Sequence, residues 1–208
     1  MIKYESFQYI YPPRPKNPIH SSDLKNWDNG IMVAQPKLNG SNCTIYMNND
    51  KLYVYNRHGQ RLTNFRIDFN EIKSLHRGKG WLVLNGEYMN KSKRNINGEI
   101  FNDKFCLFDI LVFENQHLVG TTFENRIQLL NNLYEKPSDF LGRISPNVYR
   151  IKSFYENYEE LYNNLEGIDM VEGLVLKRKS AKLEFGSTEN NNSKSQIKVR
   201  KPTKNYKY

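Results

Sequence analysis

The sequence predicts an α+β fold built mainly of antiparallel sheet, and three observations carry that prediction. Short apolar runs rich in β-branched and aromatic residues outnumber the segments with helical spacing. Two stretches, around residues 121–134 and 158–165, do repeat their apolar residues at a helical period. No regular strand–helix–strand alternation connects them, which argues against a doubly wound parallel sheet.

The elements follow in order. Pro12, Pro13, Pro15 and Pro18 fall within seven residues, a density that forbids helix. Residues 1–29 therefore read as an extended strap lying on a domain of residues 30–208. Ile31-Met32-Val33-Ala34 reads as a buried strand ending at a Pro36-Lys37 turn. Cys43, Ile45 and Met47 alternate with polar neighbours, and Asn48-Asn49-Asp50 turns the chain into residues 52–55, which makes a hairpin. Residues 81–84 and 105–113 are further apolar strands, the second long enough to be central in a sheet. Between them, residues 90–104 set Lys91, Lys93, Arg94 and Lys104 among asparagines, as an exposed basic loop. Thr121 and Glu124 have capping-box spacing ahead of Phe123, Ile127, Leu130 and Tyr134. Tyr158, Leu161, Tyr162 and Leu165 share one face of a second helix. Residues 174–176 return to strand, residues 186–195 form a polar loop, and residues 197–200 are the last strand.

Composition narrows the class. Hydrophobic residues at 38% and aromatics at 13% of 208 residues supply a core and exclude a disordered chain. A net charge of +9 favours a polyanionic partner, nucleic acid first and a membrane surface second. Cys43 and Cys106 sit among apolar residues and read as buried thiols in a reducing compartment. His20, His58, His76 and His117 carry no metal-ligand spacing. Neither a signal peptide nor an apolar run of membrane-spanning length is present, so the expected location is the cytoplasm, with no membrane partner.

One hexapeptide is far from random. The pattern Glu-Gly-x-Val-x-Lys, found at Glu172-Gly173-Leu174-Val175-Leu176-Lys177, should arise roughly 0.003 times from this chain's composition. A Lys-x-x-Gly such as Lys37–Gly40 should arise about 1.2 times, and so means nothing alone. Arg57, Glu87 and Phe108-Asp109 lie between the two, and Lys198-Val199-Arg200 follows. Any one of these would suit a plain basic β protein; their fixed order is the signal.

The chemistry such a set could serve is attack by a lysine on a nucleotide α-phosphate. An ordinary lysine, with a pKa of about 10.4, is neutral roughly one time in a thousand near neutrality. Burial or neighbouring positive charge raises that fraction. Lys177, Lys198 and Arg200 would supply such charge if the two late strands face Lys37, and would also hold the α-phosphate. Triphosphates react as magnesium complexes, which calls for a carboxylate; Glu172 and Glu87 stand in the motif positions.

The ordered set resembles the covalent nucleotidyltransferases, the superfamily of ATP-dependent DNA and RNA ligases and mRNA capping enzymes. The resemblance spans about residues 30–205 and implies a ligase adenylation domain. It implies that Lys37 becomes covalently attached to a nucleoside monophosphate, with Lys177, Lys198 and Arg200 as the other catalytic residues. Arg57 and Glu87 would contact the ribose region, Phe108 would stack on the base, and Gln35 would sit where relatives read the purine edge. Glu172 and Glu87 would hold Mg2+ (or Mn2+), with ATP as the nucleotide. Gly40-Ser41-Asn42 is similar to RNA ligases of the RNA ligase 2 and RNA-editing type, in which an asparagine at the position of Asn42 supports strand joining. Lys198-Val199-Arg200 departs from the usual lysine-apolar-lysine ending. Lys201 and Lys204 are candidate nucleic-acid contacts.

The expected activity is an ATP-dependent polynucleotide ligase, RNA before DNA, joining 5′-phosphate to 3′-hydroxyl ends. A DNA ligase, a capping guanylyltransferase using GTP and a nucleic-acid-binding protein without ligation are the alternatives. No appended oligonucleotide-binding domain is evident, so a partner supplying one is a further expectation.

Overall fold

The computed structural model describes residues 2–188 and 191–202. In chain order the strands are β1 (Ile2–Lys3), β2 (Arg14–Ile19), β3 (Met32–Leu38), β4 (Ser41–Met47), β5 (Leu52–Asn56) and β6 (Leu82–Met89). They continue with β7 (Lys104–Phe113), β8 (Gln116–His117), β9 (Leu141–Ser145), β10 (Val148–Ile151), β11 (Val171–Arg178) and β12 (Asn192–Arg200). The helices are α1 (Leu24–Trp27), α2 (Phe69–Lys73), α3 (Phe123–Leu133) and α4 (Tyr158–Glu166). One sheet runs β1-β8-β7-β6-β4-β5, with β10 added to β7 and β9 to β10; the other runs β2-β12-β11-β3. Among the described residues only β10 on β7 and β2 on β12 are parallel pairings. The α+β class with largely antiparallel sheet is thus the observed one.

Three clusters make the core. The second sheet packs against α4, whose Tyr158, Leu161, Tyr162 and Leu165 are all buried, as the helical spacing predicts. Each such side chain contributes about 1.5–3 kcal/mol when fully removed from water. One face of the first sheet is covered by α2 and α3, and its other face by Tyr4, Phe7, Tyr9 and Ile10 of the N-terminal segment. Coverage on both faces explains why Thr44 and Tyr46 are as buried as Cys43, Ile45 and Met47. Cys43 and Cys106 are free, buried thiols.

Several local expectations shift. The chain does not turn at Pro36-Lys37, because β3 continues to Leu38. β3 is the outer strand of its sheet, and Ala34 turns its N–H away from β11 to donate to the Phe154 carbonyl at 2.8 Å. Pro36, two residues on, has its missing N–H on that same open side, where a strand tolerates proline. The polar run expected as a loop to residue 195 is strand from Asn192, because β2 pairs with it there. Thr122, not Thr121, caps α3, its hydroxyl accepting from the Asn125 N–H at 3.2 Å. The hairpin turn holds as read: Asn48 Oδ1 accepts from the Asp50 and Lys51 N–H groups at 3.0 and 2.7 Å.

Candidate active site

A cleft of about 470 Å3 separates the two sheets. Side chains alternate along a strand, so Gln35 and Lys37 project from one face of β3. β11 lies between β3 and β12 and sets the neighbours across the floor. Gly173 falls between Lys37 and Arg200, Val175 between Gln35 and Lys198, and Lys177 beside Gln196. The facing wall carries Gly40, Ser41 and Asn42 at the start of β4, Arg57 and His58 beyond β5, Glu87 of β6 and Phe108 of β7. Every site residue expected from the sequence, apart from Lys201 and Lys204, lines this cleft.

Two glycines let neighbouring backbone segments of the site close together. Gly173 has φ +141°, and a Cβ there would lie 2.0 Å from the Val199 carbonyl oxygen. A Cβ on Gly40 would meet the Tyr88 carbonyl oxygen at 2.5 Å. With only hydrogen there, the Gly40 N–H reaches Glu87 Oε1 at 3.2 Å.

The polar groups form two ends. At one, the Lys37 ammonium donates to Glu172 Oε2 in a close ion pair, and Arg200 Nε lies 3.6 Å from the same oxygen. Burial pushes the Glu87 carboxyl up to about 7; the Lys37 charge opposes this and the Glu172 charge adds to it. Asn42 and Asn85 exchange amide hydrogen bonds at 3.2 and 3.4 Å, and Asn85 also donates to Thr44 Oγ1 at 2.9 Å. Arg57 Nε donates to His58 Nε2 at 3.0 Å at the exposed rim.

At the other end, Gln35 is 2% exposed. Its Nε2 donates to the Phe108 carbonyl at 3.4 Å and to Ser153 Oγ at 3.0 Å. Its Oε1 is buried and finds no donor among the described residues. Lys177 is 5% exposed, and its Nζ lies 4.5 Å from the Phe108 ring centroid and 4.7 Å from that of Phe123. Burial lowers it to about 8, with Asp109 opposing and Arg126 adding. Lys177 stands four residues along β11 from the Lys37 row, about 13 Å at strand rise. The structure thus sets the Lys177 ammonium between the Phe108 and Phe123 rings, Lys198 in the Gln35 row and Arg200 in the Lys37 row.

Lys201 lies outside the cleft lining: its ammonium donates to the Ile168 carbonyl at 2.9 Å and its N–H to the Glu172 carbonyl at 2.9 Å. Lys204 falls outside the described residues. Among the described residues no group of three carboxylate, histidine or cysteine side chains is poised to hold a metal. Two carboxylates, Glu87 and Glu172, do face the cleft. Magnesium is commonly held by one or two carboxylates with phosphate oxygens and water, so this pair fits an ion that arrives on a nucleotide.

Sequence reasoning missed three contributors. Pro13, Arg14 and Pro15 of β2 complete one side of the cleft. Ser153 orients Gln35, and the buried Asp109–Arg126 pair lies beside Lys177. Asp109 already stood in the sequence set, directly after Phe108, and Arg126 left a trace as a charged residue on the apolar face of α3 one position before Ile127.

The fold has counterparts among solved structures. The ligase domain of LigD from M. tuberculosis superposes with a TM-score of 0.66 at 14% identity, covering 93% of this chain and 61% of that one. The ATP-dependent DNA ligase from bacteriophage T7, in complex with ATP, gives 0.58 at 16% identity over 91% of this chain and 68% of its own. A Lig E DNA ligase gives 0.58 at 16%, over 93% and 70%. The chain spans about three-fifths of the LigD structures that it matches. No curated protein sequence matches it. The RNA ligase family profile matches residues 30–200, from just before β3 to the end of β12, and so takes in each strand that lines the cleft except β2. By that match the chain belongs to the RNA ligase family, within the covalent nucleotidyltransferase superfamily.

Proposed function

We propose that the protein is an ATP-dependent polynucleotide ligase acting through a lysyl-AMP on Lys37, with RNA the preferred strand. The observation that carries this is the arrangement of Lys37, Glu172 and Arg200 at one end of a cleft whose other end is Gln35 over Phe108. An amine, cations for phosphate and an aromatic platform for a base stand in the order a nucleotide requires.

In the first step the Lys37–Glu172 contact opens and the amine's proton passes to solvent, which reaches a side chain that is 18% exposed. Nζ attacks the α-phosphorus, the N–P bond forms, the bond to the β-phosphate oxygen breaks and pyrophosphate leaves. Lys198 and Arg200 balance charge on the α-phosphate, and the guanidinium can grip two oxygens at once. Glu87 and Glu172 would hold Mg2+ or Mn2+, which would supply charge neutralisation along the triphosphate. In the second step a 5′-phosphate oxygen of the strand attacks the same phosphorus, the N–P bond breaks and the Lys37 amine leaves, taking a proton from solvent. In the third, a 3′-hydroxyl attacks the 5′-phosphorus, loses its proton and expels AMP. Asn42, at the start of β4 on the cleft wall, is the residue that serves strand joining.

Gln35 selects ATP over GTP. Its Nε2 faces a carbonyl, so the reverse amide orientation would set two acceptors together, and Oε1 is the atom turned to the base. A buried acceptor suits the adenine amino group and opposes the guanine carbonyl. A cytoplasmic setting suits the two free thiols.

The test is incubation with α-labelled ATP and a divalent ion, followed by denaturing electrophoresis. Label on the wild-type band, none on Lys37→Ala, and ligation of a nicked duplex with RNA at the 3′-hydroxyl side are expected. An unlabelled wild type, or label that persists in Lys37→Ala, refutes the assignment.

A further inference from the structure

The basic segment between β6 and β7 takes no part in the chemistry proposed for the cleft. Residues 93–101 double back there as a hairpin, with Arg94 bridged to Ile100 and the Phe101 N–H donating to the Lys93 carbonyl at 2.6 Å. Only Phe101 of these residues is buried, its ring meeting that of Tyr149 edge-on at 4.9 Å. The tip is held by its own polar groups. Asn95 Oδ1 accepts from the Asn97 and Glu99 N–H groups at 3.0 and 2.9 Å, and Arg94 Nη1 donates to the Gly98 carbonyl at 2.6 Å. The base of the hairpin is fastened beside the catalytic end of the cleft. Lys93 Nζ and the Arg94 N–H donate to the two Asp169 oxygens at 2.9 and 3.0 Å, and the Met170 N–H donates to the Arg94 carbonyl at 3.0 Å. The N–H of Asn39, two residues past Lys37, donates in turn to the Met170 carbonyl at 2.9 Å. Lys201 joins this group through the Ile168 carbonyl, which takes one of its three ammonium donors.

A hairpin fixed at both ends that shields so little of the protein points to a partner. Ile96 and Ile100, 61% and 63% exposed, are the two most exposed large apolar side chains among the described residues. Lys91 and Arg94 are exposed on the same segment, against one exposed carboxylate, Glu99. Cations set among isolated apolar groups suit a polynucleotide, which offers phosphates to the first and sugars to the second. We propose that this hairpin docks the duplex flanking the joint: Lys91, Arg94 and Lys201 take its phosphates, and Ile96 and Ile100 rest on its sugars. The strand end is thereby presented to Lys37. This rests on the ligase reading of the cleft. An A-form duplex fits the two isoleucines, because its minor groove is wide, shallow and lined with ribose.

Binding of a nicked RNA duplex is measured by fluorescence anisotropy over a series of salt concentrations. Lys91→Ala with Arg94→Ala should weaken binding at low salt and reduce the slope of log affinity against log salt by about two, one for each phosphate lost. Ile96→Ser with Ile100→Ser should weaken binding by about tenfold and leave that slope unchanged. Both variants should form lysyl-AMP from ATP as the wild type does, and should seal a pre-adenylylated nick with raised KM and unchanged kcat. Should neither fold, Lys201→Ala decides, with a slope reduced by about one. Unchanged affinity and slope, or lysyl-AMP formation lost in step with binding, would overturn the proposal. So would isoleucine variants that break up an oligomer of the protein and bind the duplex as before. A wild type that binds the duplex yet forms no lysyl-AMP would instead sink the ligase assignment.

Discussion

Glu87→Gln offers a test in which the sign and the size both come from the structure. Burial raises the folded Glu87 carboxyl from 4.5 to about 7. Below 4.5 the group is protonated in both the folded and the unfolded chain, and its titration leaves stability unchanged. As the pH rises through about 7 the unfolded chain has already released its proton and the folded chain resists doing so. Stability therefore falls across this window, by 2.5 units of pKa at about 1.4 kcal/mol each, or ~3 kcal/mol at most. Partial solvent access to the side chain brings the expected figure nearer 2 kcal/mol. Glutamine keeps an acceptor for the Gly40 N–H and cannot ionise. Urea unfolding of both proteins at pH 5 and pH 8.5 should show the variant gaining on the wild type by about 2 kcal/mol between the two pH values. A stability difference that does not change with pH would refute the buried-carboxyl account. The same titration should appear in ATP affinity, since an ionised Glu87 accepts from ribose hydroxyls, and that dependence should vanish in Glu87→Gln.

Other substitutions probe the cleft elsewhere. Gly173→Ala sets a Cβ 2.0 Å from the Val199 carbonyl at a left-handed φ. Backbone strain and overpacking of about 1–3 kcal/mol each should lower stability in urea titrations, and label transfer to Lys37 should fall in the fraction that remains folded. Gln35→Ala removes the buried, unpartnered Oε1 that is proposed to read the base. Competition between labelled ATP and GTP should show selectivity reduced by about tenfold or more. Asn42→Ala breaks the amide pair with Asn85; it should spare lysyl-AMP formation in a gel assay while sealing of a pre-adenylylated nick drops by at least about tenfold.

Much of the fold and the cleft was legible in the residue order. Period-two alternation in Ile197-Lys198-Val199-Arg200 puts Lys198 and Arg200 on one strand face, and the helical spacing of α3 and α4 names their buried faces. Pairing was not legible. The end of the cleft at which Lys177 stands depends on β11 lying between β3 and β12 in one particular register, and that is a tertiary fact. The same holds for Asn192-Ser193-Lys194-Ser195, whose polar side chains favour a loop until β2 offers a partner. Pro36 misled for the opposite reason: its turn preference is local, and the free edge of β3 made it harmless. Arg14 lacks any signal, because nothing near it predicts a parallel pairing across most of the chain's length.

Residues 2–19 are sewn into both halves of the molecule. β1 is joined to β8, the Tyr9 hydroxyl to the Asn56 carbonyl, the Ile10 N–H to the Tyr46 hydroxyl, and β2 to β12. A single length of backbone therefore works as a tether whose two anchor points sit on opposing jaws. Its reach limits how far those jaws can part. Cutting it away would also bare the outer rim of β12, a row of unsatisfied amides ready to recruit a neighbouring molecule.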